Sequence, residues 1–118
     1  MKFVFKESHS FDQRVKDATK IRQKYPDRIP VIVERHPGSQ INDLDKHKFL
    51  VPSEITVAQF MWIIRKRLEL SPEKALFLFF DDLVPQASLT IGQLYNERKS
   101  DDGFLYAHYS GENSFGGY

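Results

Sequence analysis

The sequence contains no cysteine, and this absence excludes several classes of protein. A disulfide scaffold, a thiolate zinc site and a cysteine nucleophile all need that residue. Long apolar runs are also missing, since the longest, residues 75–80, is far shorter than the roughly 20 residues that span a bilayer. No stretch resembles a signal peptide. We therefore expect a cytoplasmic protein that reaches a membrane only through a covalent anchor or a partner.

Neither sign of charge predominates, because 17 Lys and Arg nearly balance 16 Asp and Glu and the formal net charge is only +1. Residues 1–68 carry 14 Lys and Arg against 8 Asp and Glu, whereas residues 69–118 carry 3 against 8. A basic surface for acidic partners is one interpretation, and an ordinary solvated surface is the other. Nucleic acid is not an expected partner, since no dense Lys and Arg stripe is interleaved with stacking aromatics.

Aromatic residues are plentiful, and they indicate a folded chain. Of the 118 residues, 41% are apolar and 14% aromatic, which suits the core of one domain. Each buried Phe or Ile contributes roughly 1.5–3 kcal/mol. We therefore expect a single globular unit and not a disordered chain.

Three capping boxes mark the starts of helices, each with Ser or Thr followed three residues later by Gln. The pairs are Ser10 and Gln13, Thr56 and Gln59, and Thr90 and Gln93. Apolar spacing behind them predicts helices over residues 11–24, 57–68 and 91–98. Residues 3–8 can form a further short helical turn.

Four runs rich in β-branched or aromatic residues predict strands, at residues 28–35, 48–51, 76–80 and 104–109. Pro30 cannot donate to a strand ladder, so it must lie at an edge, a bulge or a strand start. Without the first helices, the element order is ββαβαβ. This is the order of the β-grasp, or ubiquitin-like, fold, although other α+β folds share it.

The predicted fold class is therefore α+β, with a four-stranded mixed β-grasp sheet and two extra N-terminal helices. Residues 1–25 are expected to form the helical extension, residues 26–110 the β-grasp domain and residues 111–118 a flexible C-terminal tail. Glycines in such a tail can thread narrow enzyme channels, which suits activation of a C-terminal carboxylate. A frayed terminus without function is the alternative.

Catalytic and metal-binding patterns are not evident. The four His show no metal-ligand spacing, and a solvated loop is favoured over a cation site for His47 beside Asp43 and Asp45. The sequence has no P-loop or dinucleotide fingerprint. The acid pairs Asp81-Asp82 and Asp101-Asp102 are interpreted as turn formers. We expect no enzyme activity, no metal and no cofactor.

Several ordered blocks carry a resemblance to a known family. They are Tyr25–Glu34, Lys48–Pro52, Phe60 with Ile64–Arg67, Gly92–Tyr95 and Asp102–Tyr106. The chain resembles the GABARAP branch of the autophagy ubiquitin-like modifiers, without gaps from Met1 to Gly116. The resemblance implies a modifier and adaptor of autophagy and intracellular transport.

The resemblance also implies a fate for the tail. A cysteine protease would cut after the glycine that follows an aromatic, which here is the Gly116–Gly117 bond after Phe115. Activating and conjugating enzymes would then join Gly116 to phosphatidylethanolamine on the autophagosomal membrane. Because Gly117 creates a Gly-Gly pair, cleavage after Gly117 stays open.

Peptide capture is the second implied function. Strand 48–51 would be an exposed edge that binds an aromatic-x-x-aliphatic motif of cargo receptors and autophagy factors. The resemblance assigns the aromatic pocket to Asp17, Ile21, Pro30, Ile32, Lys48, Leu50 and Phe104. It assigns the aliphatic pocket to Phe49, Val51, Pro52, Ile55, Phe60 and Ile63, with positive charge from Arg28, Lys46, Lys48 and Arg67.

Two alternatives remain at this point. Ile21, Phe60, Ile63 and Phe104 would be ordinary core residues in any such fold, and Pro30 and Pro52 could be simple strand stops. The chain could also be a β-grasp interaction module in intracellular trafficking that is never conjugated.

Overall fold

The helices begin where the capping boxes predict. In the computed structural model, which describes residues 2–112, the side chains of Ser10, Thr56 and Thr90 each accept a backbone N–H three residues ahead, and the Gln there bonds back. Each box satisfies two N–H groups that lack a helical partner. The elements are α1 (Val4–Ser8), α2 (Phe11–Lys24), β1 (Arg28–Arg35), β2 (Lys48–Pro52), α3 (Val57–Leu68), β3 (Phe77–Phe79), α4 (Ile91–Arg98) and β4 (Leu105–Ser110).

The strands form one mixed sheet in the order β2-β1-β4-β3. β1 pairs antiparallel with β2 and parallel with β4, while β3 pairs antiparallel with β4. The N–H of Val33 donates to His47, so by alternation the nitrogen of Pro30 faces the β4 side. Pairing with β4 begins only at Val31, and Pro30 therefore interrupts no bond of the ladder.

The two faces of the sheet carry separate apolar clusters. The inner face packs against α3 and holds the larger cluster, which includes Phe60, Ile64 and Tyr109. The outer face is covered by α1 and α2, and its smaller cluster contains Ala18, Ile21, Ile32, Phe104 and Tyr106. Alternation along β4 places Tyr106 on the outer face and Tyr109 on the inner face.

Strand β3 is shorter than the predicted residues 76–80. Asp81 and Asp82 have φ values of 52° and 62°, and they form a two-residue turn between Phe80 and Leu83. Both backbone bonds of that turn join Phe80 to Leu83. Phe80 is therefore withdrawn from the β3–β4 ladder, and the prediction of these acids as turn formers is confirmed.

Strand β4 starts one residue later than predicted, because the backbone N–H of Phe104 donates to the side chain of Asp102. The turn before it needs Gly103, whose φ is 92°. A Cβ at Gly103 would also lie 3.0 Å from the Cβ of Ala18 on α2. The close approach of α2 to this turn thus depends on a residue without a side chain.

Candidate functional site

Strand β2 forms one edge of the sheet, and the predicted binding residues lie around it. β1 pairs with one side of β2, and within residues 2–112 no strand pairs with its other side. The free N–H and C=O groups there can accept an extended peptide as a fifth strand. Lys48 and Leu50 face the outer layer, while Phe49 and Val51 face the inner one.

The residues predicted for the aromatic pocket come together on the outer face. Ile21 of α2 packs with Ile32 and Phe104, and the partly buried Leu50 joins them. Ile32 and Phe104 have 0% exposed surface, so neither presents surface to a ligand in this structure.

Polar side chains border this group of residues. Lys48 Nζ lies 2.8 Å from Asp17 Oδ2, and both side chains keep exposed surface. Pro30 is buried and pairs with Leu50 across the two strands. Of the residues predicted for the aromatic pocket, Lys48, Asp17 and Leu50 therefore have the most accessible side chains.

The residues predicted for the aliphatic pocket lie on the inner face, between β2 and α3. Phe49, Val51 and Phe60 are core residues, and the rings of Phe49 and Phe60 meet edge to face at 5.8 Å. Ile55 is partly buried against the same cluster, while Ile63 is 40% exposed. Ile55, Ile63 and the half-buried Pro52 therefore supply the accessible surface, and the other three support it.

Cations border the inner side of β2. The Lys46 ammonium lies 5.1 Å and the Arg67 guanidinium 5.9 Å from the centre of the Phe49 ring. Arg67 also pairs with Asp45, at 3.2 Å between Nε and Oδ1. Arg28 begins β1 and lies 5.7 Å from the Tyr25 ring. The basic excess of the N-terminal half is therefore partly concentrated along this edge.

One network that supports the site was not predicted from sequence. Arg14 Nε lies 2.8 Å from Asp102, and the Asp102 carboxylate also accepts bonds from the Tyr106 hydroxyl and the Phe104 N–H. Burial, together with the adjacent Asp102 carboxylate, raises the pKa of Tyr106 above its usual range, so its hydroxyl remains a donor.

This network fixes α2 on the sheet. Arg14 donates as well to the carbonyls of Lys6 and His9, so it also joins α1 to α2. Arg14 and Asp102 are 88 residues apart, and no local pattern in the sequence indicates that they pair. Asp17 and Ile21 depend on this placement of α2.

The tail leaves the domain at the end of β4. Ser110 is the last strand residue, and Gly111 and Glu112 follow it. The predicted processing residues Phe115 and Gly116, with the Gly116–Gly117 bond, lie outside the described residues.

Within residues 2–112, no group of three His, Asp or Glu is arranged to hold a metal ion. His47 instead bonds the Val33 carbonyl through Nδ1, at 2.9 Å. None of the helices within the same residues is long and apolar enough to cross a membrane.

The strand order, with α3 packed across one face, defines a ubiquitin-like β-grasp protein. A family model described as "Autophagy protein Atg8 ubiquitin like" matches residues 13–116. The crystal structure of Trypanosoma brucei ATG8 superposes with a TM-score of 0.92 at 46% identity, covering 98% of this chain and 100% of that one.

Proteins that are similar in sequence indicate the same family. "Autophagy-related protein 8" of Mycosarcoma maydis is 53% identical over 116 residues, 98% of each chain. The protein of that name from Colletotrichum lindemuthianum is 52% identical over 118 residues, which is 100% of this chain and 98% of the relative. The chain belongs to the Atg8 family of autophagy ubiquitin-like proteins. It is thus a modifier and adaptor and not an enzyme.

Proposed function

We propose that this protein is joined to phosphatidylethanolamine through Gly116 and binds aromatic-x-x-aliphatic peptides along β2. The main support for peptide binding is the position of β2, which is an edge strand with an apolar cluster on each face and cations beside it. An extended peptide on this edge would place alternate side chains toward the two clusters.

The contacts of β2 support a moderate affinity. Two apolar anchors contribute roughly 2–3 kcal/mol each, and strand hydrogen bonds add to this. Ordering of the peptide opposes binding, so a dissociation constant on the order of micromolar is expected. Lys46, Lys48 and Arg67 favour motifs flanked by acidic residues.

The tail proposal is supported by the family match, which extends to residue 116 and no further. Gly116 follows Phe115, and Gly117-Tyr118 would be removed by the processing cysteine protease. Activating and conjugating enzymes then act on the new carboxylate. Two acyl chains, at about 0.8 kcal/mol per buried CH₂, hold a protein stably on a bilayer. The protein would move between cytoplasm and autophagosomal membrane according to its lipidation.

A finer assignment is part of the same proposal. The chain is placed in the GABARAP branch, nearest in appearance to the Golgi-associated ATPase-enhancer member. Support comes from residues 57–64 and 110–116, the blocks most like that member. Its partners would be cargo receptors and autophagy factors that carry the short motif.

Intact mass measures the tail proposal directly. Treatment with the processing protease should remove Gly117 and Tyr118, and subsequent conjugation should add one phosphatidylethanolamine to Gly116. Gly116→Ala should prevent membrane transfer while the circular dichroism spectrum stays unchanged. A cut after Gly117 would move the site by one residue, and an uncut wild-type chain would contradict the proposal.

Peptide titration measures the edge proposal. Leu50→Ala should weaken the binding of a fluorescent motif peptide about tenfold, since the substitution removes roughly 1.5 kcal/mol of apolar contact. Lys48→Glu should weaken the binding of an acid-flanked peptide more than that of a peptide with the same motif and neutral flanks. Val84→Ala, at an exposed position in another loop, serves as the matched control. Equal peptide affinities of the wild type and Leu50→Ala would contradict the proposed binding along β2.

A further inference from the structure

The first two residues after β4 are bound to the body of the protein by a small cluster of hydrogen bonds. The Glu112 carboxylate accepts from the hydroxyls of Ser39 and Ser110, each at 2.9 Å. The Gly111 N–H donates to the Ser39 hydroxyl at 3.1 Å, and the Glu112 N–H donates to the Ser110 hydroxyl at 3.0 Å. We call Gly111 and Glu112 the stem, and the four residues Ser39, Ser110, Gly111 and Glu112 the stem clasp.

The polar groups of the clasp complement one another. Ser39 and Ser110 are buried, and a hydroxyl has one hydrogen to donate. In both cases that hydrogen is directed at Glu112, while the oxygen accepts a backbone N–H of the stem. Hydrogen bonds from Ser110 and then Ser39 lower the pKa of Glu112, so the carboxylate is charged at neutral pH.

The loop that carries Ser39 is itself fixed. Arg35 of β1 donates to the Ser39 carbonyl at 2.6 Å, and the Ile41 N–H donates to the Ser39 hydroxyl at 3.3 Å. Gly111 also lies beside Ile41, since a Cβ there would be 3.7 Å from the Cβ of Ile41. The clasp therefore joins the stem to a loop 72 residues earlier in the chain, and not merely to its own neighbours.

We propose that Glu112 is a positioning residue for tail processing: it fixes the stem on the Ser39 loop and so sets the direction and length of the segment that delivers Gly116. This inference rests on the proposed use of Gly116. With the clasp closed, four residues from 113 to 116 follow the anchored backbone, a reach of at most about 14 Å. A processing enzyme bound to the body would meet Gly116 within that radius of Glu112.

Opening the clasp moves the last anchored residue back to Ser110, so that six residues instead of four lead from the anchor to Gly116. The local concentration of a tethered group falls roughly as the −3/2 power of tether length, which alone gives about a twofold loss. Loss of a fixed exit direction adds to this, because a catalytic centre needs its substrate in one orientation. We expect kcat/KM for cleavage to fall about two- to tenfold when the clasp is removed.

The test compares cleavage kinetics, measured by intact mass, for full-length variants and for free peptides. Glu112→Ala and Ser39→Ala should each lower kcat/KM, and the double variant should lose no more than the larger single loss. Glu112→Gln retains an acceptor oxygen and should recover part of the rate. Glu97→Ala removes an exposed carboxylate from α4 and should be neutral. Amide exchange at Gly111 and Glu112 should accelerate in the clasp variants.

The free peptide separates positioning from direct recognition by the protease. Peptides of residues 108–118 with Glu or Ala at position 112 should be cut equally, because neither has a Ser39 loop to bind. A loss that also occurs in the peptides, unchanged kinetics in Ser39→Ala, or faster cleavage of Glu112→Ala would each overturn the inference. A wild-type chain that is not cut would instead remove the proposed function, and this inference with it.

Discussion

The two faces of the sheet are held together in different ways. The inner face is a continuous apolar cluster around α3, and its largest members, such as Phe60 and Tyr109, have 0% exposure. The outer face has a small apolar cluster supplemented by polar contacts. These include the Arg14–Asp102–Tyr106 network and the carboxylate of Glu34, which accepts the N–H groups of Val4 and Phe5.

The difference indicates separate stabilities for the two layers. Apolar burial is undirected and spread over many side chains, whereas a polar network depends on a few atoms with fixed geometry. The outer layer carries α2, and α2 supplies Asp17 and Ile21 to the candidate aromatic pocket. Changes to the outer network should thus affect ligand binding before they affect the rest of the domain.

The largest expected effect tests the inner layer. Phe60→Ala should lower the free energy of unfolding by about 3–5 kcal/mol, because it leaves a cavity among fully buried side chains. Urea denaturation followed by circular dichroism measures it. The exposed Phe11→Ala should change the value by less than about 0.5 kcal/mol. Similar losses for the two variants would contradict the assignment of the core.

A smaller effect is expected from Arg14→Met, which leaves the Asp102 carboxylate without its guanidinium. Breaking a buried ion pair costs about 3–5 kcal/mol, and the remaining donors Tyr106 and Phe104 should reduce this to about 2–3 kcal/mol. Hydrogen exchange should accelerate in α1 and α2 while α3 keeps its protection. Lys16→Met, at an exposed position of α2, is the control. Equal acceleration in α3 would show that the layers do not separate.

The smallest effect concerns His108, which stacks on Phe3 with ring centres 4.0 Å apart. Burial lowers the pKa of His108 below its usual 6.5, although the carboxylate of Glu34 opposes the shift and His36 adds to it. Below about pH 6.5 the unfolded chain binds a proton at His108 more readily than the folded chain does. The contribution of neutral His108 to stability is therefore full above about pH 6.5 and is lost as the pH falls through the lowered pKa of the folded state.

Unfolding in urea at pH 7.5 and 5.5 measures this contribution. The slope due to His108 cannot exceed about 1.4 kcal/mol per pH unit. His108→Gln should have a smaller difference between the two pH values than the wild type. An unchanged difference would assign the pH dependence to other groups.

Local signals in the sequence were sufficient for most elements of the fold. The capping boxes and apolar spacing predicted helices 11–24, 57–68 and 91–98, because these signals act within four residues. The ends of β3 and β4 were wrong by a residue. There the backbone of Phe80 bonds Leu83 and that of Phe104 bonds Asp102, and such competition between turn and ladder is not visible in strand propensity.

The candidate site was less accessible to sequence reasoning. The edge position of β2 follows from the predicted topology, and alternation then separates Leu50 from Phe49 and Val51. The core positions of Ile21, Phe60 and Phe104 were anticipated and are confirmed, but Ile63, placed in the same set, is 40% exposed, because its depth depends on how α3 is turned against the sheet. Neither the Arg14–Asp102 pair nor the Ser39–Glu112 bond could be predicted, because each joins residues brought together only by the complete fold.

The parallel pairing of β1 with β4 has a consequence for how the protein is made. These central strands lie far apart in the sequence, since Val31 pairs with Leu105. During synthesis β1 and β2 emerge early, but β4, which completes the sheet, leaves the ribosome after the other three strands. Pairs so distant in sequence close slowly and leave apolar edges exposed meanwhile. A truncation anywhere before β4 would therefore release an unfinished sheet prone to aggregation, and not a smaller stable domain.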